Sequence, residues 1–244
     1  MHSSTVSFNP WRWGLPLAVL LAAGFLLRAL EPGLAAPTVW RGEQLVAMAG
    51  RGGLASALGG LRSVVAGNYW LRASLAWEQR EAATMETFIG LTIAADERHL
   101  YFWLNGARML AYDVPTWQPG DTPMVIARQG RGEQAQRALL FLEKGLNWHG
   151  ADAEIYVEMA NIHLRQLGDL ESAARCYRRA AEQPGAPYYA ARIHAELLRE
   201  LGRPQEALMW LRGIWPRLPA DDPAARRDVV QARIQALEQE VAGR

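Results

Sequence analysis

A short pattern of small and apolar residues recurs after 34 positions in the second half of this chain. The two copies are Gly168, Ala173, Tyr177 and Ala180, and Gly202, Ala207, Leu211 and Ile214. Apolar residues three and four positions apart lie on one face of a helix. A period between 20 and 50 residues is typical of repeat folds, in which each unit buries its apolar face against its neighbours. The pattern therefore predicts an all-α chain built of helical hairpins.

Less regular copies precede this block. A shift of 35 relates Ala160 to Ala195 and marks the first helix of each hairpin, so one extra residue is expected in the turn at 165–168. The same shift of 35 aligns an earlier set of residues with Ala173, Tyr177 and Ala180. This earlier set is Ala138, Leu142 and Gly145. A shift of 33 relates two further sets, which are Trp70, Ala73, Ser74 and Trp77, and Trp103, Gly106, Ala107 and Leu110.

The glycine at the turn and the small residues after it resemble the tetratricopeptide repeat (TPR) family, whose period is 34 residues. In that family the glycine sits at the tight turn between two helices, and the alanines are small because the helices approach closely. The resemblance covers residues 61–217 and departs from the family at His163 and Pro184. It implies a solenoid of about four repeats, whose first helices line a groove that binds extended or helical peptide segments.

The resemblance also implies which residues face that groove. Asn161 and Arg165 occupy groove positions in the more regular repeat, and Arg192, Glu196 and Arg199 are their counterparts in the next. The asparagine matches one that many TPR grooves use to hold a peptide backbone. The alternative is that all five are ordinary exposed polar residues of helix surfaces.

The N-terminal region divides into a tail at 1–12, a hydrophobic segment at 13–30 and a linker with a short helix at 31–60. Residues 14–27 carry no charge, and tryptophans flank the start of the run. A membrane-spanning helix needs about 20 apolar residues, and tryptophan suits the membrane interface. We therefore expect 13–30 to be a transmembrane anchor. A cleaved signal peptide, with small residues at 33–35, and a buried core helix are the alternatives.

The predicted location is the bacterial inner membrane, crossed once, with the repeat domain in the periplasm. This orientation rests on the short N-terminal tail, since short tails usually stay in the cytoplasm. Positive residues usually flank a membrane helix on its cytoplasmic side. Here arginines lie on both sides of the hydrophobic segment, so this rule gives no clear orientation.

Two regions depart from the repeat. Residues 113–132 are predicted to be an insertion, because 113–123 contains three prolines and a glycine. This insertion is either a binding element or a tolerated surface loop. Residues 218–244 are predicted to form a capping helix that begins with Asp222 and Pro223. Its single apolar stripe is Val230, Ile234, Leu237 and Val241.

The sequence contains no constellation that indicates catalysis. His163 and His194 fall on the first helices of adjacent repeats, but no third ligand follows at metal spacing, which favours core or groove histidines. Helical glutamates beside arginines are typical of solvated faces. The net charge of +1 does not indicate nucleic-acid binding, and the one cysteine, Cys176, allows no intrachain disulfide. We expect no cofactor, no metal and no enzyme activity.

These features together predict a membrane-tethered TPR scaffold. Its partner would be a protein or peptide in the assembly of a bacterial envelope complex, with a role in secretion, pilus biogenesis, cytochrome maturation or protein folding. The alternatives are a self-associating structural array and an accessory helical domain of a cell-envelope enzyme.

Overall fold

The computed structural model describes residues 62–243, and every regular element in that range is helical. The predicted all-α class is confirmed for this part of the chain. We number its α-helices in chain order: α1 Arg62–Glu78, α2 Ala82–Ala95, α3 Leu100–Arg108, α4 Met124–His149, α5 Ala153–Ile162, α6 Leu170–Ala181, α7 Tyr188–Glu200, α8 Pro204–Ile214 and α9 Arg227–Ala242.

Short turns of other helical types extend or connect these helices. A π turn continues α3 over Met109–Asp113, and a second continues α5 over His163–Leu167. The 3-10 turns are Val114–Trp117, Trp215–Arg217 and Pro223–Ala225.

The predicted tail at 1–12, anchor at 13–30 and linker at 31–60 lie outside the described residues. Within 62–243, no helix has the length and apolar character needed to cross a membrane.

Neighbours along the chain are also neighbours in space. Helices α1 and α2, α3 and α4, α5 and α6, and α7 and α8 pack as hairpins, and α9 packs against α8. The first helices α3 and α5 also touch each other. Buried side chains form three successive clusters, over α1 to α5, α5 to α7 and α7 to α9. The core therefore runs along the chain from one hairpin to the next.

Residues aligned by the 34-residue period share their surroundings. Gly168 and Gly202 both have positive φ, at 66° and 77°, where glycine has no steric cost. Ala173 and Ala207 follow at the same interval and are both 0 % exposed. The burial and backbone conformation of the two copies thus agree with the spacing read from the sequence.

The extra residue expected near 165–168 has a structural counterpart. Ala160 and Gly168 are eight positions apart, whereas Ala195 and Gly202 are seven apart. The longer interval contains the π turn His163–Leu167, and a π turn holds one more residue than an α turn. The helix end, rather than the glycine turn, accommodates the difference in length.

Small residues allow α3 and α4 to approach closely. A Cβ atom on Gly145 would lie 3.2 Å from the ring of Trp103. A Cβ atom on Gly106 would lie 3.0 Å from Ile89 and 3.1 Å from Phe141. Trp103 itself is 3 % exposed and therefore almost completely buried.

Burial does not support the shift of 33 between α1 and α3. Trp77 is 38 % exposed, while Leu110, its proposed equivalent, is 6 % exposed. A shift of 34 instead pairs the fully buried Ala73 with the fully buried Ala107, and Ala76 with Leu110. The alternation of bulky and small residues suggested the wrong register because Trp77 lies at the surface, where its indole donates a hydrogen bond to Asp113 (2.8 Å).

The region predicted as an insertion, 113–132, is partly helical. Its start forms the 3-10 turn Val114–Trp117, in which proline at an early position is tolerated. Helix α4 then begins at Met124, so the non-helical part ends before the predicted boundary. No residue between Met124 and Ala135 is buried. The apolar periodicity that indicates a helix was missing because this end of α4 contributes no buried residue to the core.

The C-terminal helix has the predicted apolar stripe. Val230 and Leu237 are buried, and Ile234 and Val241 pack against the same cluster. The start differs from the prediction, since the Asp222 carboxylate accepts from the backbone N–H of Ala224 and caps only a 3-10 turn. Helix α9 itself begins at Arg227.

Candidate functional site

Polar side chains stand on the first helices of three hairpins. They belong to α3 and its π turn, to α5 and its π turn, and to α7. We call this surface the first-helix face and define it by eight residues: Arg108, Tyr112, Glu158, Asn161, Arg165, Arg192, Glu196 and Arg199.

Glu158 is a buried carboxylate in the middle of this face. It is 3 % exposed and lies in a helix whose neighbouring positions are apolar. Arg108 Nε donates a hydrogen bond of 2.8 Å to its Oε2 atom, and this contact joins α3 to α5. A buried carboxylate needs such partners, because an unpaired charge in the interior costs several kcal/mol, by order of magnitude.

Tyr112 completes the surroundings of the carboxylate. Burial raises the pKa of the Tyr112 phenol, and the negative charge of Glu158, which accepts a hydrogen bond from it, raises the pKa further. The positive charges of Arg165 and Arg108 act in the opposite direction. The phenol therefore stays protonated and serves as a hydrogen-bond donor to Glu158.

Asn161 and Arg165 lie next to this group and differ in their interactions with the rest of the described chain. The Tyr177 hydroxyl donates a hydrogen bond of 2.7 Å to Asn161 Oδ1, which fixes the amide and leaves its NH₂ group as a donor. Arg165 is exposed and forms no ion pair within residues 62–243. Its charge lowers the pKa values of Tyr112 and Tyr177, against the effect of burial, so it lies near both rings.

The three predicted residues of α7 form a second group with the C-terminal helix. Glu196 Oε1 pairs with Arg199 at 2.6 Å, and its Oε2 atom pairs with Arg233 of α9 at 3.1 Å. Arg192 lies 3.5 Å from the carbonyl of Ala225, and burial together with nearby Arg226 lowers its pKa. Glu196 and Arg192 therefore contact the C-terminal part of the chain, through Arg233 of α9 and Ala225 of the 3-10 turn.

A cleft of about 220 Å³ lies between α7 and α9 at this second group. Its lining residues are Arg192, Ile193, Glu196, Leu211, Val229, Val230 and Arg233. Its lining combines the charged side chains of Arg192, Glu196 and Arg233 with apolar side chains, of which Leu211 and Val230 belong to the third cluster. No hydrogen bond or ion pair between described residues links it to the Glu158 group.

The family resemblance predicted groove positions at Asn161, Arg165 and the α7 residues, and this stays a prediction. Arg108, Tyr112 and Glu158 were not predicted. One signal for Glu158 was present, since a lone carboxylate stands in the apolar run 155–160. Its partner Arg108 is 50 positions away, and no local pattern connects two residues at that distance.

The two histidines of the first helices do not meet in a ligand cluster. His194 is buried, its Nδ1 atom donates to the carbonyl of Ala174 at 2.8 Å, and its ring packs edge-on against Trp210. His163 lies on the π turn of α5, with Nδ1 3.8 Å from Asp169. Over residues 62–243, no three side chains of the metal-binding types converge.

Both histidines make the stability depend on pH. Burial lowers the pKa of His194 against a smaller opposing effect of the Ala174 carbonyl, and burial lowers that of His163 against Asp169. Near pH 6.5, where unfolded histidine titrates, the unfolded state binds more protons, so stability falls as the pH decreases through this window. We expect the urea midpoint to drop from about pH 7.5 to about pH 5.5, and the drop to be smaller in a His163→Gln/His194→Gln variant. An equal drop in both proteins would show that other groups cause it.

No protein-family model matches the chain, and no curated protein sequence is significantly similar to it. The relation to the TPR family therefore rests on the residues and spacings of this chain alone.

Proposed function

We propose that this protein is a membrane-tethered helical-repeat scaffold of the TPR type, without catalytic activity. It holds a segment of a protein partner on the first-helix face during assembly of a bacterial envelope complex. Secretion, pilus biogenesis, cytochrome maturation and protein folding are the processes that use scaffolds of this kind.

The repeat geometry supports the scaffold part of this proposal. Helices pack in sequential hairpins, and Gly168 and Gly202 begin equivalent second helices at the family's spacing of 34 residues. The one buried carboxylate of the face is engaged by Arg108 and Tyr112, which supports a structural role for Glu158.

The observation that carries the proposal is the contrast between Glu158 and Arg165. The charge of Glu158 is taken up by Arg108 inside the protein, whereas Arg165 beside it points to solvent without an acidic partner among the described residues. Asn161 adds a fixed amide donor at the same place. A cation beside an oriented amide suits a peptide that offers a carboxylate and a backbone carbonyl, so the expected partner segment is acidic or ends in a free carboxylate.

The test compares Arg165→Glu with a matched control, Arg217→Glu. Arg217 is exposed on the 3-10 turn after α8, which contributes no residue to this face, so the control makes the same charge change at another place. Each tagged full-length protein is purified from gently solubilised membranes of the native cells. A charge-assisted contact contributes about 1.5–3 kcal/mol, so we expect Arg165→Glu to capture the partner roughly tenfold to a hundredfold less well. Arg217→Glu should capture it as the wild type does.

Other results of this experiment separate the remaining hypotheses. Equal capture by both variants would remove the first-helix face as the binding surface. Recovery of an untagged second copy of this chain as the main product would favour the self-associating array. That alternative has one supporting observation, an exposed apolar stripe on α1 formed by Val64, Leu71 and Leu75. Recovery of an envelope enzyme whose turnover depends on the chain would favour the accessory domain.

A further inference from the structure

The first turn of α4 exposes three consecutive large apolar residues. Met124, Val125 and Ile126 are 86 %, 78 % and 57 % exposed and follow Pro123 directly. The first buried residue of the helix is Ala135. At 1.5 Å per residue, Met124 lies about 16 Å from Ala135 along the helix axis.

The arrangement of the three residues limits what can cover them. Successive side chains of a helix point about 100° apart, so these three spread around most of the helix circumference. A groove on a folded protein covers one side of a helix. A lipid bilayer surrounds the end of a helix on all sides, and it is the surface that this arrangement fits.

The charges behind the apolar turn fit the same surface. Arg128 and Arg131 are exposed and form no ion pair within residues 62–243, and they lie roughly 6–10 Å behind Met124 along the helix. Amphipathic helices bury their apolar parts about 5–10 Å into the boundary between headgroups and acyl chains, so both arginines would stand at headgroup level. Of the nearby acids, Asp121 lies in the preceding loop, and Glu133 lies farther back and accepts from Gln129 at 2.9 Å.

From these observations we propose that the α4 tip, residues 124–126, inserts into the interface of an anionic lipid bilayer, with Arg128 and Arg131 binding the headgroups. This contact is separate from the predicted anchor at 13–30 and from the partner bound on the first-helix face. It fixes the orientation of the helical domain on the membrane.

The experiment measures the polarity around single positions of the full-length chain in vesicles. Cys176 is replaced by alanine, and a polarity-sensitive fluorophore is attached at Val125→Cys or, as the control, at Gln136→Cys. Gln136 is exposed on the same helix, about 16 Å farther from the tip. The protein is reconstituted into phosphatidylcholine vesicles with and without phosphatidylglycerol.

We expect the label at 125 to shift its emission to shorter wavelength and to brighten in the anionic vesicles, while the label at 136 does not change. Adding Arg128→Gln and Arg131→Gln should lower the ratio of inserted to free tip roughly fivefold for each arginine. The proposal is overturned if the label at 125 reports water in both kinds of vesicle. It is also overturned if the labels at 125 and 136 respond alike, or if the arginine variant inserts as well as the parent. None of these outcomes depends on whether a protein partner binds elsewhere.

Discussion

Replacing Tyr177 by alanine is expected to lower the free energy of unfolding by about 3–5 kcal/mol, the usual cost of removing a large buried aromatic side chain. Tyr177 is among the largest fully buried side chains of the described chain and lies in the middle cluster, between the clusters of the first and last helices. Its loss would leave a cavity where α5, α6 and α7 meet. Urea unfolding of the full-length protein in mild detergent, followed by circular dichroism, measures the change.

Tyr177→Phe is the matched control for this substitution. It keeps the ring and removes only the hydroxyl that donates to Asn161, so we expect a loss of about 1 kcal/mol. Because Asn161 then loses the bond that orients its amide, the phenylalanine variant should also bind the partner more weakly while remaining folded. If the alanine variant were no less stable than the phenylalanine variant, the ring would not anchor the middle cluster.

Replacing Gly145 by leucine is expected to cost about 3 kcal/mol of stability, at the upper end of the usual range for overpacking. Even a Cβ atom at this position would lie 3.2 Å from the Trp103 ring, and the branched side chain of leucine needs far more room. Either α3 and α4 separate or Trp103 leaves its buried position. Tryptophan fluorescence and the denaturation midpoint together report both changes.

Replacing Gly213 by alanine is expected to raise the stability, and the same unfolding experiment measures it. Gly213 lies in α8, and a methyl group added to it would have no other atom within 4 Å, so alanine should stabilise the helix by about 0.5–1 kcal/mol. The pair separates the effect of close packing from that of removing a helical glycine. A Gly145→Leu protein as stable as the wild type would contradict the close approach of α3 and α4.

The sequence was most informative where residues repeat locally. The glycines at 168 and 202 and the alanines after them predicted turns and buried positions that the structure contains. The stripe of the C-terminal helix was equally predictable, because one buried face leaves a regular apolar period. In each case, the spacing within a single helix or hairpin carries the information.

The sequence was least informative where the structure depends on distant or missing contacts. The bond between Arg108 and Glu158 joins two hairpins, and nothing near either residue indicates the other. The start of α4 was hidden because a helix end without buried residues has no apolar period. The contact between Arg233 of α9 and Glu196 was not predicted either, because it depends on how the last helix packs.

The π turn at the end of α5 has a consequence for how such chains diversify. It takes in one additional residue while the glycine turn and the second helix keep their places. Adding or removing that residue rotates the end of the first helix by about 100°, which changes the direction of the side chains found there, Arg165 among them. A change of chain length by one residue at this point would therefore redirect those side chains and leave the core unchanged. On the function proposed above, single-residue insertion or deletion is then a route to new partner specificity, beside substitution.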